Sequence, residues 1–373
     1  IPETTHKIKS SEFGWEIDYN GGLCIKNEKF YYSPDIKHYA YFAWEDMSPY
    51  AYKYDKGALL GGLLQEVLDL GVEYRNGTIC YQATDSPTGV TLKCVSKGKK
   101  FRVMAKKLVA ADGCASQVGL TLGMNADRMD LTYAPVLALY MSGVKNQDVK
   151  HWSGYWGMCY GTPLAPLMGC GPAEDFELTD LVLLGTPHQT PWEMFEFFTK
   201  KSPVAWMFEG SKVERAHSCL VKAFTPAKTP YKGNCLMIGD AAAFVEVQAQ
   251  GALNCGFWAA DALEKELKGE PGFEEYTKTW LERLEFNGDG MKQVTQGYGL
   301  VPYYTDEEMV YIFSLLDGVR MPGNYSQYAS PRLLWTEIHR HDDRIKKERP
   351  EIWEKMENSA QRTFKDNLEE GAE

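Results

Sequence analysis

The sequence contains nine cysteines but no Cys-x-x-Cys pair. The lack of this spacing argues against a structural zinc site, an iron–sulfur cluster and a thioredoxin-like redox motif. An odd number of scattered cysteines is typical of reduced thiols rather than of a disulfide framework. We therefore predict a cytoplasmic protein that binds no metal.

A long apolar run, a secretion signal and an excess of positive charge are also missing. No apolar stretch reaches the ~18 residues that a membrane-spanning helix needs, and the first residues, IPETTHKIKSSEF, are polar. The formal net charge is −11, so the chain offers no basic surface for nucleic acid. With 373 residues, 44% of them hydrophobic, the composition indicates a globular protein of two or three domains.

The sequence patterns in the first third of the chain predict strands, one helix and a small antiparallel sheet. Residues 1–55 are rich in tyrosine and alternate irregularly, as short strands and loops do. The stretch GALLGGLLQEVLDL, residues 57–70, has leucines along one broad helical face, and Gly71 ends it. Strand-like runs separated by turn residues follow at 78–84, 90–95 and 101–104.

Two apolar runs are predicted to be strands buried on both faces, and each carries an aspartate at its end. They are KLVAADG, residues 107–113, and CLMIGD, residues 235–240. The second leads to a predicted helix from Gly251 to Lys268, which Gly269 terminates. The predicted buried face of this helix comprises Leu253, Phe257, Ala260, Leu263 and Leu267.

The middle and the end of the chain differ in their patterns. Residues 131–225 are aromatic and rich in predicted strands, with one helix expected at 191–200. Residues 273–373 are predicted to be helical and become increasingly charged towards the end of the chain. The segment from His339 onward is therefore expected to be a solvated helical tail.

The aspartates Asp112 and Asp240 follow two predicted parallel strands. In an open α/β sheet, ligands bind beyond the carboxyl ends of the strands. A carboxylate at that edge needs hydroxyl or amide donors, and a polyol supplies hydroxyls. The alternative is that each aspartate caps a following helix by accepting hydrogen bonds from its amides. The residues alone leave both interpretations open.

Three ordered motifs resemble those of the flavoprotein monooxygenase and geranylgeranyl reductase superfamily of FAD enzymes. GDAAAFVEVQAQGALN, which starts at Gly239, is similar to the late motif, in which GDAA is followed by a turn into a helix. KKLVAADGCASQVG is similar to the middle motif, with Asp112, Gly113 and Ser116 matching. KGALLGGLLQEVLDLG is similar to a helix that in relatives begins with an arginine near the pyrophosphate, and here Lys56 has that position.

The resemblance implies a Rossmann-like FAD-binding fold of the α/β class. Asp240 would bind the ribityl chain of FAD, and the backbone from Gly251 to Asn254 would face the pyrimidine edge of the flavin. A helix N-terminus at that edge would stabilise the negative charge that develops on the reduced ring. The implied cofactor-binding residues are Lys56, Asp112, Gly113, Gly239, Asp240, Ala241, Gln250, Gly251, Ala252, Leu253 and Asn254.

The resemblance also implies a division into domains. Residues 1–130 and 215–285 would form a discontinuous FAD-binding domain that lacks its first βαβ unit. Residues 131–214 would form an inserted antiparallel β substrate domain, and residues 286–373 a helical C-terminal region.

Two features depart from the family pattern. The proline and paired glycines of the late motif are replaced by the residues from Glu246 to Gln250, which changes the loop expected at the flavin ring. The opening Gly-x-Gly-x-x-Gly turn is missing, since GCGPAE at 169–174 has a proline where a helix should begin, and GDG at 288–290 and GYG at 297–299 lie in helical sequence. A βαβ unit takes ~30 residues or more. We therefore expect a second polypeptide, a cleaved N-terminal piece or a small partner subunit, to supply it.

The motif GDAAAFV is closer to the GDAAGFV of the reductases than to the GDAAH of the hydroxylases. The predicted function is that of an FAD-dependent reductase or dehydrogenase acting on a small organic or unsaturated substrate by hydride transfer. A flavin-dependent aromatic monooxygenase or halogenase is one alternative. A non-catalytic or electron-relay flavoprotein subunit is another.

No catalytic acid or base stands out in the sequence. Trp152, Tyr155 and Trp156 are predicted to line the substrate face, although an aromatic cluster is more often part of a core. The remaining candidates, for proton transfer or redox chemistry, are His151, His217, Cys159 and Cys170.

Overall fold

Strands dominate the first two thirds of the chain, and helices dominate the rest. The computed structural model describes residues 6–10, 14–44, 51–145, 151–161, 166–170, 178–186, 188–243, 248–287, 301, 303–324, 329–359, 361–362 and 366. In chain order the strands are β1 His6–Ser10, β2 Trp15–Tyr19, β3 Leu23–Lys26, β4 Glu28–Tyr32, β5 Tyr39–Ala43, β6 Ala51–Tyr54, β7 Thr78–Ser86, β8 Gly89–Ser96, β9 Lys99–Ala105, β10 Leu108–Ala110, β11 Asp130–Ser142, β12 His151–Tyr155, β13 Leu167–Cys170, β14 Thr179–Leu184, β15 Lys212–Phe224, β16 Tyr231–Lys232, β17 Cys235–Met237 and β18 Arg320–Pro322.

The helices are α1 Lys56–Asp69, α2 Gln117–Thr121, α3 Pro191–Lys201, α4 Gln248–Lys268, α5 Gly272–Arg283, α6 Asp306–Ser314, α7 Ala329–His339, α8 Asp342–Glu348 and α9 Pro350–Ser359. Short 3₁₀ turns lie at Met158–Tyr160, Ala205–Phe208, Gly239–Ala241 and Glu285–Asn287. Within the described ranges, none of these helices has the length and apolar character needed to cross a membrane.

Contacts divide the chain into two units, each built from three separate stretches. The first unit comprises residues 1–19, 60–132 and 221–289, and the second comprises residues 20–59, 133–220 and 290–373. The functional domain boundaries derived from the sequence stay a prediction.

The centre of the first unit is a three-stranded sheet in the order β10-β17-β16. β10 pairs in parallel with β17, and β16 pairs antiparallel with it. As predicted, β17 is buried on both faces, because all three of its residues are fully buried. The same prediction was wrong for β10, since Leu108 and Val109 are only half-buried. The reason is that β10 lies at the edge of this sheet.

Three antiparallel strands, β7, β8 and β9, form a second sheet in the first unit. This confirms the three strands predicted from the turn residues between them. Gly89 begins β8 at a φ of +137°, and a Cβ there would lie 2.3 Å from the carbonyl oxygen of Ala105. Only glycine therefore allows β8 and β9 to approach this closely.

Helix α4 begins at Gln248, three residues before the predicted start, and ends as predicted at Lys268, before Gly269. The predicted buried face was wrong, because Phe257, Ala260 and Leu267 are exposed. The buried positions are instead Gly251, Asn254, Cys255, Ala259 and Ala262. Helix α4 packs closely against α5, where a Cβ on Gly272 would lie 2.0 Å from the carbonyl oxygen of Ala262. Such a close approach selects small side chains rather than large apolar ones.

Helix α1 confirms the predicted helix, and little of its leucine face is buried. Leu59 is buried, whereas Leu60, Val67, Leu68 and Leu70 are exposed. The broad leucine face therefore has little cover among the described residues.

An eight-stranded sheet forms the centre of the second unit, in the order β15-β11-β14-β13-β12-β4-β5-β18. The pairs β4/β12 and β5/β18 are parallel, and the neighbouring pairs from β11 to β12 are antiparallel. The aromatic run after residue 131 thus forms strands, as predicted. The capping box of Thr190 and Glu193 begins helix α3 at the predicted place.

The C-terminal helices do not form a solvated tail, so that prediction was wrong. Ile338, Ile345 and Ile352 are fully buried, and Met356 is 5% exposed. They share a core with Tyr31 and Phe42 from the eight-stranded sheet. One isoleucine in every seven residues gives these charged helices a single narrow apolar stripe. The stripe is sufficient to bury them against the sheet.

Candidate functional site

The two strand-end aspartates follow neighbouring strands of the first unit. Ala110 of β10 lies opposite Met237 of β17, and the Ile238 amide donates to the Ala110 carbonyl oxygen at 3.0 Å. Asp112 and Asp240 come directly after this pair, and both are exposed. The parallel register therefore brings both carboxylates to the same edge of the sheet, as the sequence predicts.

The turn that carries Asp240 depends on a glycine. Gly239 is buried and has a φ of +61°, a conformation that costs other residues about 1–2 kcal/mol. The amides of Ala242 and Ala243 both donate to the Gly239 carbonyl oxygen, at 2.9 and 3.1 Å. Ala241, Ala242 and Ala243 are fully buried, so the turn is packed closely against the unit while Asp240 points outward.

Two further groups hold this turn from other parts of the chain. Arg128 Nη1 donates to the Ala241 carbonyl oxygen at 2.8 Å, and Arg128 Nε donates to the Thr225 carbonyl oxygen at 2.7 Å. Burial lowers the pKa of Arg128 to about 10, although its neighbour Asp127 acts in the opposite direction. The Ala227 amide donates to the Ala242 carbonyl oxygen at 2.8 Å. The backbone around Asp240 is thus fixed before any ligand binds.

Asp112 has one of the two roles that the sequence left open, that of a helix cap, and its role towards a ligand stays a prediction. Its Oδ2 accepts from the Val118 amide at 3.2 Å, which is a helix-capping contact. Ser116 is the N-cap of α2, and its side chain accepts from the Gly119 amide at 2.8 Å. Because Ser116 caps the helix and Asp112 is exposed, Asp112 keeps accepting capacity towards the sheet edge. Gly113, at φ +78°, makes the turn between them.

The segment after the turn supplies the start of α4. Residues 244–247, which include the replaced loop residues Glu246 and Val247, lie outside the described residues. The first turn of α4 has amides without acceptors in the helix, and because α4 starts at Gln248 these belong to residues 248–250. The amides from Gly251 onward lie within the helix.

The other predicted cofactor residues fall in α4 or in α1. Gln250 lies in the first turn of α4, Gly251 and Asn254 are buried, and Ala252 is exposed beside the half-buried Leu253. Their roles towards the flavin stay a prediction. Lys56 is the exposed first residue of α1 and belongs to the second unit, so its place near a pyrophosphate also stays a prediction. Asp55, missed in the sequence, caps α1 by accepting from the Ala58 amide at 3.0 Å.

The three predicted substrate-lining aromatics lie on or beside β12, in the second unit. Tyr155 packs on Tyr160 and Phe198, and Trp156 packs in the core that also contains the C-terminal helices. Tyr155 and Trp156 are each 4% exposed, whereas Trp152 is half-buried. A role in lining the substrate stays a prediction for all three.

The cysteine and histidine candidates differ in their surroundings. Burial, with Asp306 nearby, raises the pKa of the Cys159 thiol to about 12, which leaves it protonated and a poor nucleophile at neutral pH. The side chain of Cys170 lies outside the described residues. His217 is exposed and contacts only the ring of Tyr140 in the described chain. His151 pairs with Glu28, at 2.9 Å between Nε2 and Oε2.

The residues of the first unit fit the flavin half of FAD. Two exposed carboxylates at one sheet edge suit the hydroxyls of a ribityl chain, and the amides at the start of α4 suit an electron-rich ring edge. Lys56, which belongs to the second unit, is the one residue predicted to lie near the phosphates. Within the described ranges, no group of three His, Cys, Asp or Glu side chains is arranged to hold a metal ion.

No protein-family profile matches the sequence, and no curated protein matches it. Solved structures do match. A geranylgeranyl bacteriochlorophyll reductase-like protein from Thermoplasma acidophilum aligns over 90% of this chain and 83% of its own, with a TM-score of 0.64 and 13% identity.

Solved structures of two other kinds of enzyme are also similar in fold to this chain. The myxobacterial chondrochloren halogenase CndH, a variant of the FAD-dependent halogenases, aligns over 85% of this chain and 82% of its own, with a TM-score of 0.59 and 14% identity. The p-nitrophenol 4-monooxygenase PnpA from Pseudomonas putida DLL-E4 aligns over 94% and 82%, with a TM-score of 0.56 and 14% identity. The chain therefore has the mixed α/β, Rossmann-like fold of FAD-dependent oxidoreductases of the geranylgeranyl reductase and aromatic hydroxylase type.

Proposed function

We propose that this protein is an FAD-dependent oxidoreductase, and that it acts as a reductase or dehydrogenase on a small organic or unsaturated substrate. FAD, when bound, supplies hydride transfer. The chain's own residues would bind and orient it: Asp240 and Asp112 would accept hydrogen bonds from the ribityl hydroxyls, and the amides at the start of α4 would lie at the pyrimidine edge. A reducing compartment such as the cytoplasm remains part of this proposal.

The observation that carries the proposal is the rigid turn at the carboxyl end of β17. Gly239, Arg128 and Ala227 fix its backbone, yet Asp240 is exposed at the edge shared with β10. A fixed backbone that presents one carboxylate to solvent is a preorganised contact for a polar ligand.

The test is the flavin content of an Asp240→Ala variant. A hydrogen bond to a charged group contributes about 1.5–3 kcal/mol, so flavin should bind roughly tenfold to a hundredfold more weakly. Asp261→Ala is the matched control, because Asp261 is an exposed aspartate on α4 beyond the turn. Equal flavin retention in both variants and the wild type would contradict the assignment.

The monooxygenase or halogenase alternative is supported by the likeness to CndH and PnpA. The reductase is preferred because of the sequence GDAAAFV, residues 239–245. Anaerobic reduction of the loaded protein, followed by a panel of organic acceptors, separates the two. Reoxidation without oxygen supports the reductase, whereas turnover that requires oxygen and hydroxylates or halogenates an arene supports the alternative.

We further propose that a second polypeptide, a cleaved piece or a partner subunit, supplies a strand, a Gly-x-Gly-x-x-Gly turn and a helix. The proposal is supported by β10, whose outer edge pairs with no strand among the described residues. It is also supported by the exposed apolar side chains of α1, of the residue that follows it and of α4, which are Leu60, Val67, Leu68, Leu70, Phe257 and Leu267. Open strand edges and apolar patches of this kind are normally covered.

Native mass spectrometry of the assembled protein tests this idea. The expected particle contains a second chain and one FAD per pair. A flavin-loaded chain without a companion would contradict it.

A further inference from the structure

Two cysteines face each other across neighbouring strands of the small antiparallel sheet in the first unit. Cys80 of β7 lies directly opposite Cys94 of β8. The Cα atoms of directly opposite residues in an antiparallel pair are about 4.5 or 5.5 Å apart, and the Cα atoms that a disulfide joins are about 4.4–6.8 Å apart. The backbone therefore already holds these residues at the separation that a disulfide needs. We call Cys80 and Cys94 the cysteine pair.

This arrangement does not recur in the other strand pairs whose register the structure describes. There, Cys24 of β3 faces a lysine, Cys170 of β13 faces a threonine, and Cys235 of β17 faces a leucine and a lysine. Both members of the cysteine pair are free thiols. The cysteine pair is thus the place in these described strand pairs where a disulfide can form with the strands in their present register.

The cysteine pair lies on the packed face of this sheet, and its two members differ in exposure. Directly opposite residues project to the same face, and successive residues of a strand alternate between faces. On this face Val90 and Ala83 are each 1% exposed, and Cys94 is 4% exposed. Cys80 is only half-buried. A small reagent from solvent therefore reaches Cys80 before it reaches Cys94.

A β-bulge follows Cys80 in the strand. The register shifts between Cys80 and Gln82, so Tyr81 is the extra residue of β7 at this point. The Cys80 Sγ donates to the Gln82 carbonyl oxygen at 3.7 Å, which is a weak contact. Because a bulge disrupts the ladder locally, the backbone can adjust here more easily than in the regular part of the strand. The small movement of the Cys80 sulfur that a bond to Cys94 requires therefore costs little.

The cysteine pair is connected to the turn that carries Asp112. Burial raises the pKa of the Cys80 thiol, and the neighbouring Cys94 and Asp112 raise it further. Three residues along β7, the Ala83 amide donates to Thr121 Oγ1 of α2 at 3.0 Å, and Asp112 caps that same helix. At neutral pH the Cys80 thiol is mostly protonated, and a protonated thiol is a poor nucleophile. The cysteine pair therefore stays reduced unless an oxidant persists.

We propose that the cysteine pair is a reversible modification site, at which a low-molecular-weight disulfide such as glutathione disulfide crosslinks β7 to β8. The Cys80 thiolate attacks the small disulfide, breaks its S–S bond and releases one small thiol. Cys94 then attacks the Cys80 sulfur and releases the second. Two protein thiols are oxidised to one disulfide, one small disulfide is reduced to two thiols, and the two protons pass to the released thiolates. Flavin takes no part in this reaction.

The test treats the reduced full-length protein with glutathione disulfide, blocks the remaining thiols and digests the product with trypsin in the absence of a reducing agent. Trypsin cleaves after Lys93, between the two cysteines, so the oxidised protein should yield two peptides joined through Cys80 and Cys94. Dithiothreitol should separate them. The same treatment in concentrated urea should lower the yield of this linkage at least tenfold, because the unfolded chain no longer holds the two strands side by side.

Variants separate the two steps of the reaction. Cys94→Ser should stop at a mixed disulfide between Cys80 and glutathione, whereas in Cys80→Ser the buried Cys94 should react at least tenfold more slowly. Cys219→Ser, which removes an exposed cysteine of the second unit, is the control and should form the linked peptides as the wild type does.

The exposed Cys219 of the wild type also reports that the oxidant has reacted. The proposal is overturned if the linked peptides are absent once Cys219 carries glutathione, or if they form only in urea. It is equally overturned if Cys94→Ser takes up no glutathione at Cys80.

Discussion

Lys29 is the clearest source of pH-dependent stability in the second unit. Its side chain is 2% exposed, and its Nζ donates to the Asn324 carbonyl oxygen at 2.7 Å and to Ser330 Oγ at 2.6 Å. The amine also lies 4.5 Å from the ring centre of Phe42. Burial lowers the pKa of Lys29 from 10.5 to about 7. The two hydrogen bonds and the ring favour the charged form and therefore oppose this lowering.

The direction of the pH dependence of stability follows from which state, folded or unfolded, holds the proton on Lys29. Between pH 7 and pH 10.5 the unfolded chain keeps the proton on Lys29 while the folded protein has lost it. Folding stability therefore rises with pH across this window, by at most about 1.4 kcal/mol per pH unit. Below pH 7 both states are protonated, and the folded state carries the full cost of a buried charge, roughly 5 kcal/mol at most.

Lys29→Met removes the titrating group while keeping a side chain of similar length. Urea unfolding from about pH 6 to pH 9 should show the wild type gaining stability relative to this variant by at least 1 kcal/mol. The loss of the two hydrogen bonds also lowers the unfolding free energy of the variant, by an amount that changes little with pH. Lys99→Met, at an exposed lysine of β9, is the control and should show no such trend. A difference in unfolding free energy between wild type and Lys29→Met that stays constant over this pH range would refute the reasoning.

Two further predictions concern the turn that carries Asp240. Arg128→Met removes charge-assisted hydrogen bonds to the carbonyl oxygens of Ala241 and Thr225. This variant should lower the unfolding free energy by about 3 kcal/mol and weaken flavin retention. Unchanged flavin content would show that the turn keeps its conformation without Arg128. Gly239→Ala forces φ +61° on an alanine and should cost about 1–2 kcal/mol. Gly256→Ala in α4 has open space around the new Cβ and should stabilise by about 0.5–1 kcal/mol, as thermal unfolding would measure.

Sequence patterns predict the strands and the ends of helices well where local chemistry decides. Gly71 and Gly269 end α1 and α4 at the expected places because each adopts a left-handed conformation, at φ +79° and +85°. The apolar run of β17 is short and is bounded by a turn, so its burial is evident from the residues alone. The edge shared by Asp112 and Asp240 follows from the same pattern.

The errors in predicted burial arise where contacts with distant parts of the chain determine which side chains are buried. In α4 the buried stripe consists of small residues such as Ala259 and Ala262, so hydrophobicity selects the opposite face. The core positions Ile345 and Ile352 are single isoleucines in a segment rich in charged residues. Burial there comes from a sheet formed far away in sequence.

Some of the site could not be predicted for a related reason. Arg128 contacts a carbonyl oxygen 113 residues away, and because every residue offers such an acceptor, no sequence pattern marks the pair. The pair of Glu28 and His151 depends on β4 pairing in parallel with β12, which joins segments 123 residues apart.

The division into six alternating stretches has a consequence for how the protein is made. The chain passes from one unit to the other five times, and Tyr41 of β5 pairs with Arg320 of β18 near the far end of the sequence. A nascent chain emerging from the ribosome therefore cannot complete the first unit until residue 289 has been synthesised, and it cannot complete the second until nearly the whole chain has been made. Such non-local pairing slows folding and leaves strand edges exposed to aggregation in the meantime. From this topology we expect C-terminal truncations to accumulate poorly and folding during synthesis to depend on chaperones.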